Sequence, residues 1–205
     1  ETKIKAIIFI DAQIDHTTGL LMLREGCPHQ VYCTKEVHEE LNTSFPLFKM
    51  LEHWDGGGVV YNEINFNKQP FIIPVMPNCE FYAVPLISNA PPYSKYRDRP
   101  RVGDNIGVVV INKKTNKRLF YLPGLGVIEK HIIEEMAKAD ILLVDGTVWT
   151  NDEMIKQGFS TKFGTDMGHL PLSDKGGLIE LLDKLERPRK ILIHINNSTF
   201  AHRFQ

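Results

Sequence analysis

The densest group of polar side chains in the 205-residue sequence is the stretch I-D-A-Q-I-D-H-T-T-G-L, residues 10–20. Asp11, Gln13 and Asp15 alternate along it, and His16 follows directly. Carboxylate oxygens and an imidazole nitrogen on one loop can converge on a metal ion. The alternative is that the two aspartates cap a following helix while His16 is solvated. The residue types therefore indicate either a metal site or a helix N-terminus.

Two further histidines and one aspartate lie where the chain leaves a strand or turns. His194 ends the apolar stretch K-I-L-I-H, and His169 follows Gly168 in D-M-G-H-L-P. Asp145 ends A-D-I-L-L-V-D, where its carboxylate can orient a ligating histidine or cap the next segment. His194 could instead be a hydrogen-bonded core residue, and His169 a surface-loop residue. All three are site candidates, each with a structural alternative.

Composition excludes several classes of partner. The chain is 42% hydrophobic and 24% charged, with a formal net charge of −1, so nothing points to nucleic acid or to an anionic membrane. No apolar run approaches the ~20 residues that a membrane-spanning helix needs. The cysteines, Cys27, Cys33 and Cys79, lack C-x-x-C spacing, which argues against a zinc knuckle and for a reducing compartment.

Strand and helix patterns alternate at both ends of the chain. Strands are predicted at 4–10, 31–33, 59–64, 71–75, 80–86, 106–112, 118–122, 139–145 and 190–194. Helices are predicted at 19–24, 34–41, 46–53, 129–138, 151–157 and 175–185, with Thr34 as a cap. The strands of 59–86 are expected to form a meander and those of 106–122 a hairpin. The candidate residues then fall where strands end, as in many α/β proteins.

Other segments carry no recognised catalytic motif. Residues 88–103 form a long, polar, proline-bearing loop, of the kind that is usually functional or mobile. The glycine-rich stretches at 56–58 and 123–126 lack the spacing of phosphate-binding loops, and we interpret both as turns. The Gly-x-Ser-x-Gly motif of serine hydrolases is absent from the sequence.

The stretch D-A-Q-I-D-H, directly after a strand, resembles the H-x-H-x-D-H motif of the metallo-β-lactamase superfamily. Asp15 and His16 match the last pair of that motif, and His194 matches a final histidine that follows a buried strand. At the positions of other superfamily ligands the chain carries Asp11, Gln13, Ser88 and Gly124. The resemblance implies that the ligands of one metal position are lost, whereas Asp15, His16 and His194 of the other remain.

Several separate motifs resemble the pyrroloquinoline quinone (PQQ) biosynthesis protein B family across nearly the whole chain. They are D-A-Q-I-D-H-T-T-G-L-L, S-N-A-P-P-Y-S, G-D-N, Y-L-P-G-L-G, L-L-V-D-G-T, M-G-H-L and K-I-L-I-H-I-N-N. The resemblance implies an α/β fold, the metallo-β-lactamase-like αββα sandwich, as a single domain over residues 1–205. It also implies that N- and C-terminal portions of the family, including a Cys-rich structural zinc site, are missing here.

The same resemblance implies a reaction. Two imidazoles and one carboxylate are the ligand set of non-heme iron(II) oxygenases. We therefore expect Fe(II), with zinc as the alternative metal, and dioxygen as co-substrate of a hydroxylase that acts on the tyrosine-derived ring of a cross-linked Glu-Tyr precursor. In this interpretation His169 is an acid or base, Asp145 orients a ligand, and Asp11 and Gln13 hydrogen-bond a metal-bound water or the substrate.

Substrate contacts and partners complete the expectation. Ser88, Asn89 and Tyr93 are predicted to contact the bound molecule from a lid at 88–94. The expected substrate is small and peptide-derived, the expected location is the cytoplasm, and neither nucleic acid nor membrane is expected to bind. A homodimer and contacts with other proteins of the PQQ pathway remain open. The alternatives to an oxygenase are a single-zinc hydrolase and a carrier that assists transport of PQQ or its precursor.

Overall fold

The computed structural model describes residues 3–67 and 69–196 and contains two compact units, Glu1–Ile106 and Gly107–Gln205. Strands β1 to β8 are Ile7–Ile8, His29–Cys33, Val59–Glu63, Cys79–Pro85, Ile106–Asn112, Arg118–Leu122, Ile141–Asp145 and Arg189–Ile193. Helices α1 to α7 are Ile14–Thr17, Lys35–Glu40, Leu47–Leu51, Lys130–Lys138, Glu153–Lys156, Gly164–Met167 and Leu178–Asp183. In this part of the chain, no helix combines the length and the apolar character needed to cross a membrane.

The first unit contains a three-stranded parallel sheet in the order β1-β2-β3. The crossover from β2 to β3 runs through α2 and α3, because parallel neighbours cannot be joined by a tight turn. The apolar faces of these elements pack together, and Val31, Leu41, Leu47 and Leu51 are fully buried. The sheet places the end of β1 directly before the polar stretch 11–16.

The predicted meander over 59–86 is wrong. β3 pairs in parallel with β2. Among the described residues of 71–75, only Phe71 bridges another chain segment, at Phe81 of β4. Pro74 cannot donate a backbone hydrogen bond, which shortens any ladder at this point. An apolar run between prolines was therefore mistaken for a strand.

The start of the first unit is more helical than the sequence predicted. Residues 11–18 were expected to be a loop, but Ile14–Thr17 form α1 and a 3₁₀ helix continues over Thr18–Gly26. Gln13 is the N-cap, and its carbonyl accepts bonds from the Thr17 amide and hydroxyl. The predicted Thr34 cap of α2 is confirmed, since its hydroxyl accepts a hydrogen bond from the Val37 amide.

The second unit contains β5 to β8. The predicted hairpin is confirmed by the antiparallel pairing of β5 with β6, and β6, β7 and β8 then run parallel. Phe120, Leu142 and Val144 are fully buried in this sheet. Because the three strands are parallel, their carboxyl ends share one edge and their amino ends the opposite edge. Asp145 ends β7 and His194 follows β8, so both lie at the carboxyl edge.

Candidate active site

Asp145 is a buried carboxylate at the carboxyl edge of the second unit's sheet, and its side chain is 0% exposed. Its Oδ2 accepts hydrogen bonds from the Leu125 amide at 3.0 Å and from Nδ1 of His169 at 2.7 Å. Its Oδ1 accepts from the Thr147 amide at 3.0 Å and from the Thr147 hydroxyl at 2.6 Å. A carboxylate has about four acceptor directions. The four donors occupy them, so Asp145 is suited to hold neighbouring groups and poorly suited to ligate a metal.

Thr147 connects Asp145 to His194. The hydroxyl oxygen lies 2.7 Å from Nδ1 of His194 and 2.6 Å from Oδ1 of Asp145. A hydroxyl has one hydrogen. The His194 carbonyl, 3.0 Å away, is also within reach of it, but the charged carboxylate is nearer and is the stronger acceptor. Nδ1 of His194 must then carry a proton and donate to Thr147. This tautomer puts the lone pair of His194 on Nε2, the nitrogen that can ligate a metal.

The backbone of His194 is unusual. Its φ is 56°, in the left-handed region that non-glycine residues rarely adopt. The conformation costs about 1 kcal/mol. It turns the chain directly after β8 and presents the imidazole beside Thr147. Strain of this kind is concentrated at functional sites, and this observation favours the functional interpretation of His194 over that of a simple core residue.

His169 is placed by the glycine before it. Gly168 ends α6 with a φ of 93°, in the left-handed region that a side chain would disfavour. The His169 ring then lies 5.2 Å from the ring of His194, measured between centroids. Since Nδ1 donates to Asp145, the lone pair of neutral His169 is on Nε2. Ligand atoms of Asp145, His169 and His194 all lie within 4.8 Å of one another.

In the first unit, Asp11 holds His16 in the same way. Nδ1 of His16 lies 2.9 Å from both carboxylate oxygens of Asp11, which is itself buried and also accepts from the Gln13 amide. The lone pair of neutral His16 is therefore on Nε2. That nitrogen lies 3.7 Å from Oδ2 of Asp15, whose side chain is 75% exposed. This separation lets both atoms reach one metal ion at ~2.1 Å each.

The loop predicted to be a lid is tied down at several points. Asn105 donates to the backbone carbonyls of Ser88 and Asn89, at 3.1 and 3.2 Å. The Tyr93 hydroxyl donates to the carbonyl of Ala12, and burial raises the pKa of this hydroxyl. Ser94 donates to the buried Glu40. These contacts favour a fixed wall beside the Asp11–His16 segment over a mobile lid.

Sequence reasoning missed Thr147 and the backbone amide of Leu125. A D-x-T triplet after a buried strand, as in D-G-T, was the available signal, because a hydroxyl two residues after an aspartate can bond back to it. The Leu125 amide carries no signal of its own. It reaches Asp145 because β6 lies next to β7 and ends at Leu122.

Comparison with known proteins supports the predicted resemblance. Residues 1–195 match the family model described as Beta-lactamase superfamily domain. The chain is 55% identical over 198 residues to Coenzyme PQQ synthesis protein B of Pseudomonas protegens, covering 97% of this chain and 65% of that protein. The protein of the same name from Klebsiella pneumoniae is 54% identical over 197 residues, covering 96% and 63%. The chain thus spans less than two thirds of the length of these relatives.

Solved structures confirm the predicted fold class. The crystal structure of Zn(2+)-bound PqqB from Methylobacterium extorquens superposes with a TM-score of 0.80 at 27% identity, covering 95% of this chain and 63% of that one. Unliganded yeast PDE1 gives a TM-score of 0.68 at 11% identity, covering 95% and 58%, a likeness of fold alone. The fold is the metallo-β-lactamase fold, with two sheets and helices. That residues 1–205 form one domain remains a prediction.

Proposed function

Because this chain belongs to the β-lactamase superfamily domain family, we propose that it carries out a metal-dependent step of PQQ biosynthesis. The relatives named Coenzyme PQQ synthesis protein B support the pathway. The proposed step is hydroxylation of the tyrosine-derived ring of a cross-linked Glu-Tyr precursor by a non-heme iron enzyme, with dioxygen as co-substrate. One oxygen atom of dioxygen enters the ring, and the other leaves as water with the two electrons and two protons released when the hydroxylated phenol becomes a quinone. The observation that carries the proposal is that a protein oxygen holds Nδ1 of both His16 and His194, which puts the lone pair of each neutral ring on Nε2.

The proposed metal ligands are Asp15, His16 and His194. Each of the two histidines has Nδ1 held by a protein oxygen, at 2.9 Å in His16 and at 2.7 Å in His194. Both Nε2 lone pairs are thus oriented before any metal binds, which is the usual preparation of a ligating histidine. Two imidazoles and a carboxylate suit Fe(II) or Zn²⁺. When bound, Fe(II) supplies the redox chemistry for oxygen insertion, which zinc lacks.

His169 is proposed as the proton carrier. Its Nε2 can take a proton from a phenolic hydroxyl of the substrate, because Asp145 at 2.7 Å from Nδ1 stabilises the imidazolium that forms. Asp11 has a different role in our proposal from the predicted contact with water or substrate. Both of its oxygens face Nδ1 of His16, so it positions that ligand. Gln13, Ser88, Asn89 and Tyr93 stay proposed substrate contacts.

A single-zinc hydrolase is the second candidate, and one observation favours it. The structural relative from Methylobacterium extorquens is described as Zn(2+)-bound. A hydrolase would use the same oriented histidines, with His169 again moving a proton. Oxygen dependence separates the two reactions, since hydrolysis needs none.

The test is oxygen uptake by the chain, in its full-length context, loaded with Fe(II) or with Zn²⁺ and given the cross-linked precursor. We expect stoichiometric oxygen consumption with iron only. His16→Ala and His194→Ala should abolish iron binding and turnover together, whereas His53→Ala, an exposed histidine, should change neither. Product formed without oxygen would establish the hydrolase instead. Tight binding of PQQ by chelator-treated protein, with no turnover, would establish the carrier.

The metal assignment has its own discriminating variant. If the metal were held within the second unit by Asp145, His169 and His194, His16→Ala would keep full metal content and His169→Ala would lose it. We expect the reverse. Metal content by plasma mass spectrometry decides between the two sets. The cytoplasm and the other proteins of the PQQ pathway are the proposed surroundings of this reaction.

A further inference from the structure

A cavity of about 610 Å³ lies at the amino edge of the second unit's sheet. It is lined where β6, β7 and β8 begin, at Arg118, Ile141 and Arg189. Asp145 and His194 lie at the opposite ends of β7 and β8, so this cavity is separate from the candidate active site. It plays no part in the chemistry proposed above.

Cations dominate the lining of this cavity. Lys117, Arg118, Arg187 and Arg189 line it, with Asp140 as the one lining carboxylate among the described residues. Asp140 lies 3.0 Å from Nζ of Lys117 and 3.4 Å from a terminal nitrogen of Arg187. These side chains are 71% and 56% exposed, so their pairing with Asp140 is weak and can rearrange around an incoming anion. The Arg189 side chain has no ion pair within the described residues.

Asp140 does not neutralise the cavity by taking up a proton. The hydrogen bond from the Arg118 amide and that from Lys117 lower the pKa of Asp140 to about 2. Asp140 stays negatively charged, and together with Glu135 beside Arg118 it sets two negative charges against the four positive ones. The Arg118 guanidinium pairs with Glu135 at 2.8 Å, but its buried Nε has no acceptor within the described part of the chain. A buried donor without an acceptor is a common sign of a further anion or water close by.

The rest of the lining decides which anion fits. Val110, Leu119 and Ile141 contribute an apolar wall beside the cations, and Ile141 is 36% exposed. A simple inorganic anion would leave this wall uncovered. Nucleic acid is disfavoured because the chain as a whole has a formal charge of −1. We propose that this cavity binds an acidic peptide segment of a partner protein, with carboxylates on the cations and an aliphatic side chain on the apolar wall.

The probe is a fluorescein-labelled peptide of sequence Glu-Glu-Leu-Glu-Glu, with binding followed by anisotropy at low salt. We expect Arg187→Gln/Arg189→Gln to weaken binding at least about tenfold, or ~1.4 kcal/mol. The matched control is Lys184→Gln/Lys190→Gln, which removes the same charge from exposed positions outside the cavity. It should change the affinity less than about twofold, because charges away from the contact act only through a screened field. Thermal melting confirms that both variants fold.

Peptide variants test the two halves of the site separately. Replacing Leu with Ser should weaken binding through the apolar wall, and replacing the Glu residues with Gln should abolish it. The proposal is overturned by equal losses in the two double variants, by no loss in Arg187→Gln/Arg189→Gln, or by no binding of the parent peptide at millimolar concentration. Displacement of the peptide by a lower concentration of a single-stranded oligonucleotide of equal charge would also overturn it.

Discussion

Two hydrogen bonds to Asp145 determine which ring nitrogens of His169 and His194 carry a lone pair that can ligate a metal. One is donated by Nδ1 of His169 and the other by the Thr147 hydroxyl, and both end at the same carboxylate. The His194 tautomer follows from the second of them. At the scale of single residues, the candidate site is therefore a buried anion that orders two imidazoles, one directly and one through a hydroxyl.

Asp145→Asn tests this arrangement. The amide group would turn two donor hydrogens towards groups that already donate, so at least one buried donor loses its acceptor. We expect the free energy of unfolding in urea to fall by about 2–3 kcal/mol. The affinity for Zn²⁺, measured by competition with a chromophoric chelator, should fall about 10- to 100-fold. Asp183→Asn, at an exposed position of α7, should change neither quantity. A wild-type zinc affinity in Asp145→Asn would contradict the proposed role.

Thr147 offers a finer comparison. Thr147→Val keeps the shape of the side chain but removes the hydroxyl that accepts the hydrogen bond from Nδ1 of His194. Thr147→Ser keeps that hydroxyl. We expect zinc affinity to fall about tenfold in the valine variant and to stay within about twofold in the serine variant. Titration of both proteins with Zn²⁺ measures the difference. Equal losses in the two variants would mean that packing of the methyl group, and not the hydrogen bond, positions His194.

At the scale of elements, strands β6, β7 and β8 could be predicted, and their parallel pairing brings Asp145 and His194 to one edge of the sheet. The apolar runs that end at Asp145 and His194 both became strands, as expected. The prediction of a meander was wrong because apolar periodicity identifies a strand but not the strand with which it pairs. The pairing of β3 with β2 depends on the helical crossover between them. Helix α1 was not predicted because it has only four residues. It is stabilised by local hydrogen bonds to the Gln13 carbonyl, which leave no hydrophobic periodicity in the sequence.

The site was predictable in its residue types and less so in its hydrogen bonds. Asp145 was expected either to orient a ligating histidine or to cap the next segment of the chain. It accepts hydrogen bonds from His169 and from the Thr147 amide of that segment, whereas metal ligation by a histidine that it orients stays a prediction. The hydrogen bond between Asp11 and His16 could not be predicted from the sequence. Side chains five residues apart come into contact here because helix α1 begins between them.

Helix α2 provides a prediction about pH. His38 on this helix stacks on Tyr61 with centroids 3.8 Å apart, and burial lowers the pKa of His38 below 6.5. The unfolded chain then takes up a proton at a higher pH than the folded chain does. The stabilisation is complete above about pH 6.5 and is lost as the pH falls towards the lowered pKa. Urea unfolding at about pH 8 and pH 5 should show a smaller pH-dependent loss in His38→Phe than in the wild type.

The exposed His53 provides the control for this comparison, because His53→Ala should keep the wild-type dependence on pH. An identical loss of stability in His38→Phe and in the wild type would show that His38 does not contribute to the pH dependence of stability between about pH 8 and pH 5.

At the scale of the whole molecule, metal binding should appear as added stability. A ligand that binds only the folded state raises the free energy of unfolding by about 2.7 kcal/mol at 100 times its Kd. We expect Zn²⁺ or anaerobic Fe(II) to raise the thermal midpoint of the wild type and of His53→Ala, and a chelator to reverse the shift. His194→Asn should show no shift. A full shift in that variant would exclude His194 as a ligand, whatever reaction the protein performs.

The left-handed backbone at His194 has a consequence for how this chain can change over generations. Glycine or asparagine would occupy that conformation at lower cost than histidine, and would make the fold slightly more stable. A lineage that no longer needed the imidazole would therefore be expected to drift towards one of those residues. If His194 ligates a metal as proposed, histidine at this position lowers the stability of the fold in exchange for that role, and its presence is the expected mark of continuing selection on it.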